Sequence, residues 1–140
     1  MAKHTMQPVG GLLIALTLSG CAGAPLTSCR NGQDSMVAAT LLFGRHAGGR
    51  LVVGEAEWKR FLGREVTPRF PDGLTVFDAA GQWRDPARGR AVREPSKVVL
   101  IVYRDEAGAY ERVTAIAEAY KRRFAQHSVG IVTSPACASF

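Results

Sequence analysis

The side chains best able to do chemistry crowd into one stretch. From Thr67 onward stand Arg69, Asp72, Asp78, Gln82, Trp83, Asp85 and Glu94, with Lys97 opening the apolar run that follows. A carboxylate such as Asp78, projecting from a short strand into apolar company, can acquire a raised pKa and act as acid or base. An arginine such as Arg69 can clamp an anion through its planar fork of donors. Base and clamp together make the catalytic pair that a small isomerase or lyase needs. Structural uses of the same groups stay open: Asp78 paired with Arg69 or Arg45 or capping a turn, and Arg69 paired with Asp72 or Glu94. Gln82 and Trp83 fit the floor of a pocket or a hairpin tip packed on a helix. Arg45, Asp72, Gln82, Trp83, Glu94 and Tyr103 are therefore binding candidates around the catalytic candidates Asp78 and Arg69. Tyr103 joins them because it ends the strongest strand.

Other chemistries lack their residues. His4, His46 and His127 are isolated, and neither a CxxC nor an HExxH spacing occurs. Gly44, Gly48, Gly49 and Gly54 follow neither GxGxxG nor GxxxxGK, and no GxSxG elbow is present. No cofactor and no metal is expected.

The elements that must position the cluster follow from periodicity. Ser35 to Phe43 is an apolar run of strand length, and Leu51 to Val53 is a short extended piece. From Glu55 to Val66, Trp58, Phe61, Leu62 and Val66 recur at helical spacing, and Thr67-Pro68 stops that helix. Phe70-Pro71-Asp72-Gly73 is a turn, Leu74 to Ala79 alternates as a strand, and Gly81 to Glu94 reads as a long hairpin connection, with strand character open at Gln82 and Trp83. Lys97 to Arg104, KVVLIVYR, is a continuous apolar strand with both faces covered. A second helix runs from about Ala109 to Gln126, and Ser128 to Thr133 is a final strand. Strand, helix, strand, strand, helix, strand is the order of the ferredoxin-like split β-α-β, an α+β fold with two helices on one face of an antiparallel-type sheet. The other sheet face is left apolar, which calls for a second copy, a homodimer, or a ligand pocket.

Residues 1–20 read as a leader: a weakly basic start, an apolar run from Gly10 to Leu18, then Leu18-Ser19-Gly20-Cys21. This closing word resembles the lipobox of bacterial lipoproteins, and the resemblance implies cleavage before Cys21, lipidation of its thiol and a membrane anchor without a spanning helix. Ala22 after the cysteine points to the outer membrane, facing the periplasm. Residues 21–28 would be a tether and 29–140 a single domain. Cys29 and Cys137 remain for a disulfide in an oxidising compartment, and the 4-1-3-2 strand order brings their neighbourhoods together. The formal charge is +6 over 140 residues. Such charge could favour an anionic membrane surface or a polyanion, but the basic residues are scattered along the chain, as on a solvated surface. Nucleic acid is not an expected partner.

Four blocks carry a wider resemblance: CRNGQDSMVAATLLFGR, EAEWKRFLGREVTPRFPDGLTVFDAAGQWRD, REPSKVVLIVY and YKRRFAQHSV. They resemble a bacterial domain family of unknown function, number 3574, found in secreted and lipid-anchored proteins. The resemblance implies interest in Arg45, Trp58, Arg69, Asp72, Asp78, Gln82, Trp83 and Glu94, and brings neither activity nor cofactor. The leading expectation is an envelope lipoprotein carrying a non-catalytic binding module for an unknown small ligand or envelope protein. The alternative is a small exported isomerase or lyase-like enzyme using Asp78 and Arg69.

Overall fold

A computed structural model describes residues 28–86 and 89–140 of the chain. The expected leader, Cys21 and all but the last residue of the tether lie outside them. In chain order the elements are β1 (Asp34–Gly44), a small hairpin of β2 (His46–Ala47) and β3 (Arg50–Leu51), α1 (Glu55–Phe61), a π-helical turn (Leu62–Val66), β4 (Thr75–Arg84), β5 (Ala91–Tyr103), α2 (Ala109–Phe124) and β6 (Gly130–Ala138).

Four strands form one antiparallel sheet in the order β4-β5-β1-β6, with β2 and β3 a separate pair. The register of β1 runs from Val37 opposite Tyr103 to Gly44 opposite Ser96 on one side, and from Asp34 opposite Ala138 to Leu42 opposite Gly130 on the other. This is the ferredoxin-like arrangement. Because strand side chains alternate, Ala39, Leu41 and Phe43 share a face with Val99 and Ile101, and all five are fully buried under the helices. Trp58 and Phe61 from α1 and Tyr120 from α2 surround Phe43, with ring centroids 5.3, 6.0 and 4.7 Å away. The Tyr120 hydroxyl donates to the Gly44 carbonyl at 2.8 Å, and burial pushes its pKa far up, so it stays a neutral donor.

The second strand of the expected fold is longer than its composition suggests. The strand character of Gln82 and Trp83 is present and the connection is shorter than Gly81 to Glu94: β4 continues to Arg84 and β5 begins at Ala91, pairing Gln82 with Arg93 and Trp83 with Val92. Arg93 Nε donates to Gln82 Oε1 at 2.8 Å across that ladder. Pro95 is tolerated because β1 stops opposite Ser96, leaving no regular partner on that side for the missing N–H. The Arg45 N–H reaches there, donating to the Pro95 carbonyl at 3.2 Å.

The expected disulfide is present. Cys29 and Cys137 are bonded, with Cα atoms 5.5 Å apart across 108 residues of sequence. The opposite sheet face exposes Leu42 (44 %), Phe77 (50 %) and Val132 (58 %). Among the described residues no helix is long and apolar enough to cross a membrane.

Candidate functional site

A cleft of about 850 Å³ opens at one end of the sheet, where β4 begins, β5 finishes and α2 starts. The chain is led there by the π-helical turn, in which the Thr67 N–H reaches the Leu62 carbonyl at 2.9 Å, five residues back. Phe70 N–H then bonds the Val66 carbonyl at 3.1 Å, and Gly73, at φ +138, turns the chain into β4 as a side-chain-bearing residue rarely could. Arg69, Phe70 and Asp72 thereby become one wall. Leu100, Val102, Tyr103 and Arg104 at the end of β5 form another, and Arg112 from the first turns of α2 closes the third. Met36 and Phe140 complete the lining.

The arginines are only partly used. Arg112 lies 5.5 Å from the centroid of the Phe70 ring and gives Nη2 to Glu106 at 2.8 Å. Its Nε is buried with no acceptor among the described residues. Arg69 donates Nη1 to the Glu65 carbonyl (2.6 Å) and carboxylate (2.9 Å), and Arg104 gives Nη2 to Asp34 at 2.7 Å. Tyr103 packs on Phe70 with centroids 5.3 Å apart, and burial, with Asp105 nearby, raises its pKa and keeps its hydroxyl protonated. The Asp72 carboxylate has no hydrogen-bond or ion-pair partner among the described residues. Anions with an apolar portion suit such a lining.

Asp78 stands elsewhere. It faces Lys97 across the β4–β5 ladder and ion-pairs with it, on the side covered by the helices. Lys97 Nζ also reaches Glu55 at 3.0 Å; Glu55 holds Arg45 Nη1 at 2.8 Å, and Arg45 Nε donates to the Val53 carbonyl at 2.7 Å. The hydrogen bond from Lys97 holds the carboxyl groups of both Asp78 and Glu55 below their usual values, so the raised pKa expected for Asp78 is replaced by a lowered one. Burial alone would lower the pKa of Lys97, but Asp78 and Glu55 together raise it.

The candidates thus divide three ways. Arg69, Asp72 and Tyr103 meet in the cleft; Asp78 and Arg45 belong to the Lys97 cluster; Gln82, Trp83 and Glu94 lie toward the far end of the β4–β5 hairpin. There Trp83 Nε1 donates to Glu94 Oε1 at 3.2 Å. Arg104 and Arg112 escape a reading by sequence spacing, since only topology brings the end of β5 and the start of α2 beside the 67–74 turn. Lys97 carried a usable signal: period-two alternation puts it on the face of Val99 and Ile101, where an ammonium requires carboxylates. Among the described residues no group of three or more His, Cys, Asp or Glu side chains could hold a metal.

Among solved structures the chain resembles a phage SAM lyase in complex with S-methyl-5′-thioadenosine, with a TM-score of 0.59 and 13 % identity over 84 % of this chain and 97 % of that one. The same lyase in its apo state gives a TM-score of 0.56 and 14 % identity over 83 % and 97 %. The B. subtilis GlnK–ATP complex gives 0.47 and 16 % over 77 % and 85 %. At these identities the likeness is one of fold. No curated protein sequence matches the chain. A family model described as a protein of unknown function, DUF3574, matches residues 38–140, nearly the whole described domain, and the chain belongs to that family.

Proposed function

We propose that the cleft is a small-molecule site and that the domain is a lyase-like enzyme acting there on a small organic anion with an apolar body. The observation that carries this reading is the convergence of Arg69, Arg104 and Arg112 on one hollow floored by Met36, Phe70, Leu100 and Val102. The guanidinium groups hold the anionic end and the floor takes the body. Asp72 is the free carboxylate and Tyr103 the protonated donor. In an elimination, Asp72 takes a proton from carbon, the C–H electron pair becomes the new double bond, and the leaving heteroatom departs with its bonding pair, taking a proton from Tyr103 where it would otherwise leave as an anion and none where a sulfonium releases a neutral thioether. Solvent then returns both groups to their starting states. The base assigned by sequence to Asp78 accordingly passes to Asp72, while Arg69 keeps its clamping role. The fold shared with a SAM lyase supports this choice of reaction class.

The test is incubation of the full chain with S-adenosylmethionine, following release of S-methyl-5′-thioadenosine by chromatography, alongside a thermal-shift screen of small carboxylates and nucleosides. Turnover abolished by Asp72→Asn, with ligand binding lost in Arg112→Gln, supports the assignment. A bound compound that Arg112→Gln binds equally well places the site elsewhere.

A second reading is favoured by Leu42, Phe77 and Val132 on the open sheet face: a binding module that pairs with a second copy through that face. A Phe77→Lys chain that sediments as the wild type does at every concentration removes it. The resemblance of Leu18-Ser19-Gly20-Cys21 to a lipobox, together with the disulfide, supports an exported, lipid-anchored location. Loss of membrane fractionation in Cys21→Ser tests that location.

A further inference from the structure

We propose that the end of the molecule opposite the cleft docks on an anionic lipid bilayer. Four segments far apart in sequence meet there around a hollow of about 300 Å³: the 46–49 turn, Trp83 and Asp85 at the end of β4, Val92 and Glu94 at the start of β5, and residues 125–127 after α2. Glu94 ties them together, accepting from the His46 N–H at 3.0 Å and from Trp83 Nε1 at 3.2 Å, while Gln126 Nε2 donates to the His46 carbonyl at 3.0 Å. A Cβ at Gly44 would lie 2.9 Å from the same carboxylate, so β1 comes against Glu94 as closely as a backbone can. The platform is built and cross-tied rather than a fringe of loose turns.

Its charge is the second observation. Residues 46–52, 82–86, 89–94 and 121–127 hold seven basic and two acidic side chains, a formal +5 against +6 for the whole chain. Arg50, Arg84, Arg90 and Arg93 are exposed, as are Arg122 and Arg123 at the end of α2. These basic residues lie on separate stretches of sequence that the fold brings to one end.

The third observation selects the partner. Apolar side chains stand exposed within these basic segments: Leu51 (54 %), Val52 (38 %) and the indole of Trp83 (48 %). A nucleic acid or acidic polysaccharide would satisfy the arginines and leave Leu51 and Val52 unused. A bilayer uses both sets, since arginines meet lipid phosphates while indole and aliphatic groups enter the headgroup boundary.

The experiment is sedimentation of the full chain carrying Cys21→Ser, so that no acyl anchor contributes, with vesicles of phosphatidylcholine alone and of phosphatidylcholine mixed with phosphatidylglycerol. The expected result is a partition into anionic vesicles more than about tenfold above neutral ones, weakened by salt, and reduced about fivefold for each basic residue removed in Arg50→Gln, Arg122→Gln and Arg123→Gln. Trp83 emission shifts to the blue on binding, and the shift disappears in Trp83→Phe, because the remaining Trp58 is buried. Leu51→Ser with Val52→Ser lowers binding at unchanged charge. Equal binding to both vesicle types, or anionic binding untouched by the triple arginine variant, overturns the proposal. Equal retention on heparin and on anionic vesicles, with no blue shift, also overturns it, in favour of a soluble polyanion. All of these side chains are exposed, and circular dichroism confirms that each variant is folded.

Discussion

Lys97 and Arg112 are two cations that the fold treats in opposite ways. The ammonium of Lys97, almost wholly buried, lies between Asp78 and Glu55; Glu55 also takes Arg45, and Arg45 is held by the Val53 carbonyl. Each cation of that cluster has an acceptor. Arg112 has one carboxylate, Glu106, on one nitrogen, a ring beneath its plane, and a buried Nε facing no acceptor. Two more arginines share its cleft, each tied by a single terminal nitrogen. An unsatisfied buried donor costs about 1–3 kcal/mol, so a cluster that matches its charges serves the fold, while one that leaves donors over keeps capacity for something outside it.

The largest expected effect tests how the cleft end is held together. Replacing Cys29 and Cys137 by serine removes a cross-link closing 108 residues, for which chain entropy gives about 5 kcal/mol of lost stability in urea denaturation. The loss should be local in hydrogen exchange. Met36 and Phe140 line the cleft beside the cross-link, so amides at 34–38 and 134–138 lose protection first, while those at 97–100 keep it. Uniform loss would mean that the two regions share one unit of stability.

The sharpest form of the comparison is the same replacement made twice. Lys97→Met removes a satisfied cation and should cost about 1.5 kcal/mol, because its charge-assisted bonds go while its partners only partly rehydrate. Arg112→Met removes an unsatisfied donor along with an exposed pair. It should leave stability within about 0.5 kcal/mol or raise it, while abolishing ligand binding in the cleft. Equal costs in chemical denaturation would erase the distinction.

How much of this was legible follows from which forces are local. β1, β5 and α2 announce themselves because Leu41, Val99, Ile116 and their neighbours repeat at the strand or helix period. The second half of β4 does not: Gly81 and Arg84 run on into Asp85 and Pro86 with the composition of a loop, and the ladder to Val92 and Arg93 outweighs it as far as Arg84. The carboxylate of Asp78 was visible, but its partner depended on a register that places it opposite Lys97. Arg69 and Asp72 stand three residues apart in a turn and could be grouped from sequence. Arg104 and Arg112 join them only when β5 and α2 fold back to the same end. The basic tip escaped for the same reason, its segments being separated by some thirty residues of intervening chain.

The pH profile separates the clusters less dramatically. Asp78 and Glu55 have pKa values below their ordinary 3.8 and 4.5, so the unfolded chain binds more protons in that range; their contribution is present above those values and is lost as pH falls through the lower folded ones. Lys97 has a pKa above its ordinary 10.5, so its contribution is complete below that value and is lost as pH rises through the higher folded one. Stability from this cluster should therefore be flat from about pH 5 to 10 and decline outside that window. Lys97→Met should remove the alkaline decline and most of the acid one. An unchanged acid limb would assign it to other carboxylates.

The smallest effect is the most discriminating for the cleft. Arg104 and Asp34 form a 2.7 Å pair whose side chains are 66 % and 58 % exposed, and such pairs contribute little because water competes for both partners. Arg104→Gln, Asp34→Asn and the double replacement should each change stability by less than about 0.5 kcal/mol, with a coupling energy near zero in the double-mutant cycle. A ligand anion in the cleft meets the same guanidinium with its other nitrogens free. Arg104→Gln should therefore weaken anion binding, whereas Asp34→Asn should strengthen it slightly by releasing the second donor. Opposite effects on binding at unchanged stability are what a spare cation predicts, and equal effects would make Arg104 a structural residue like Lys97.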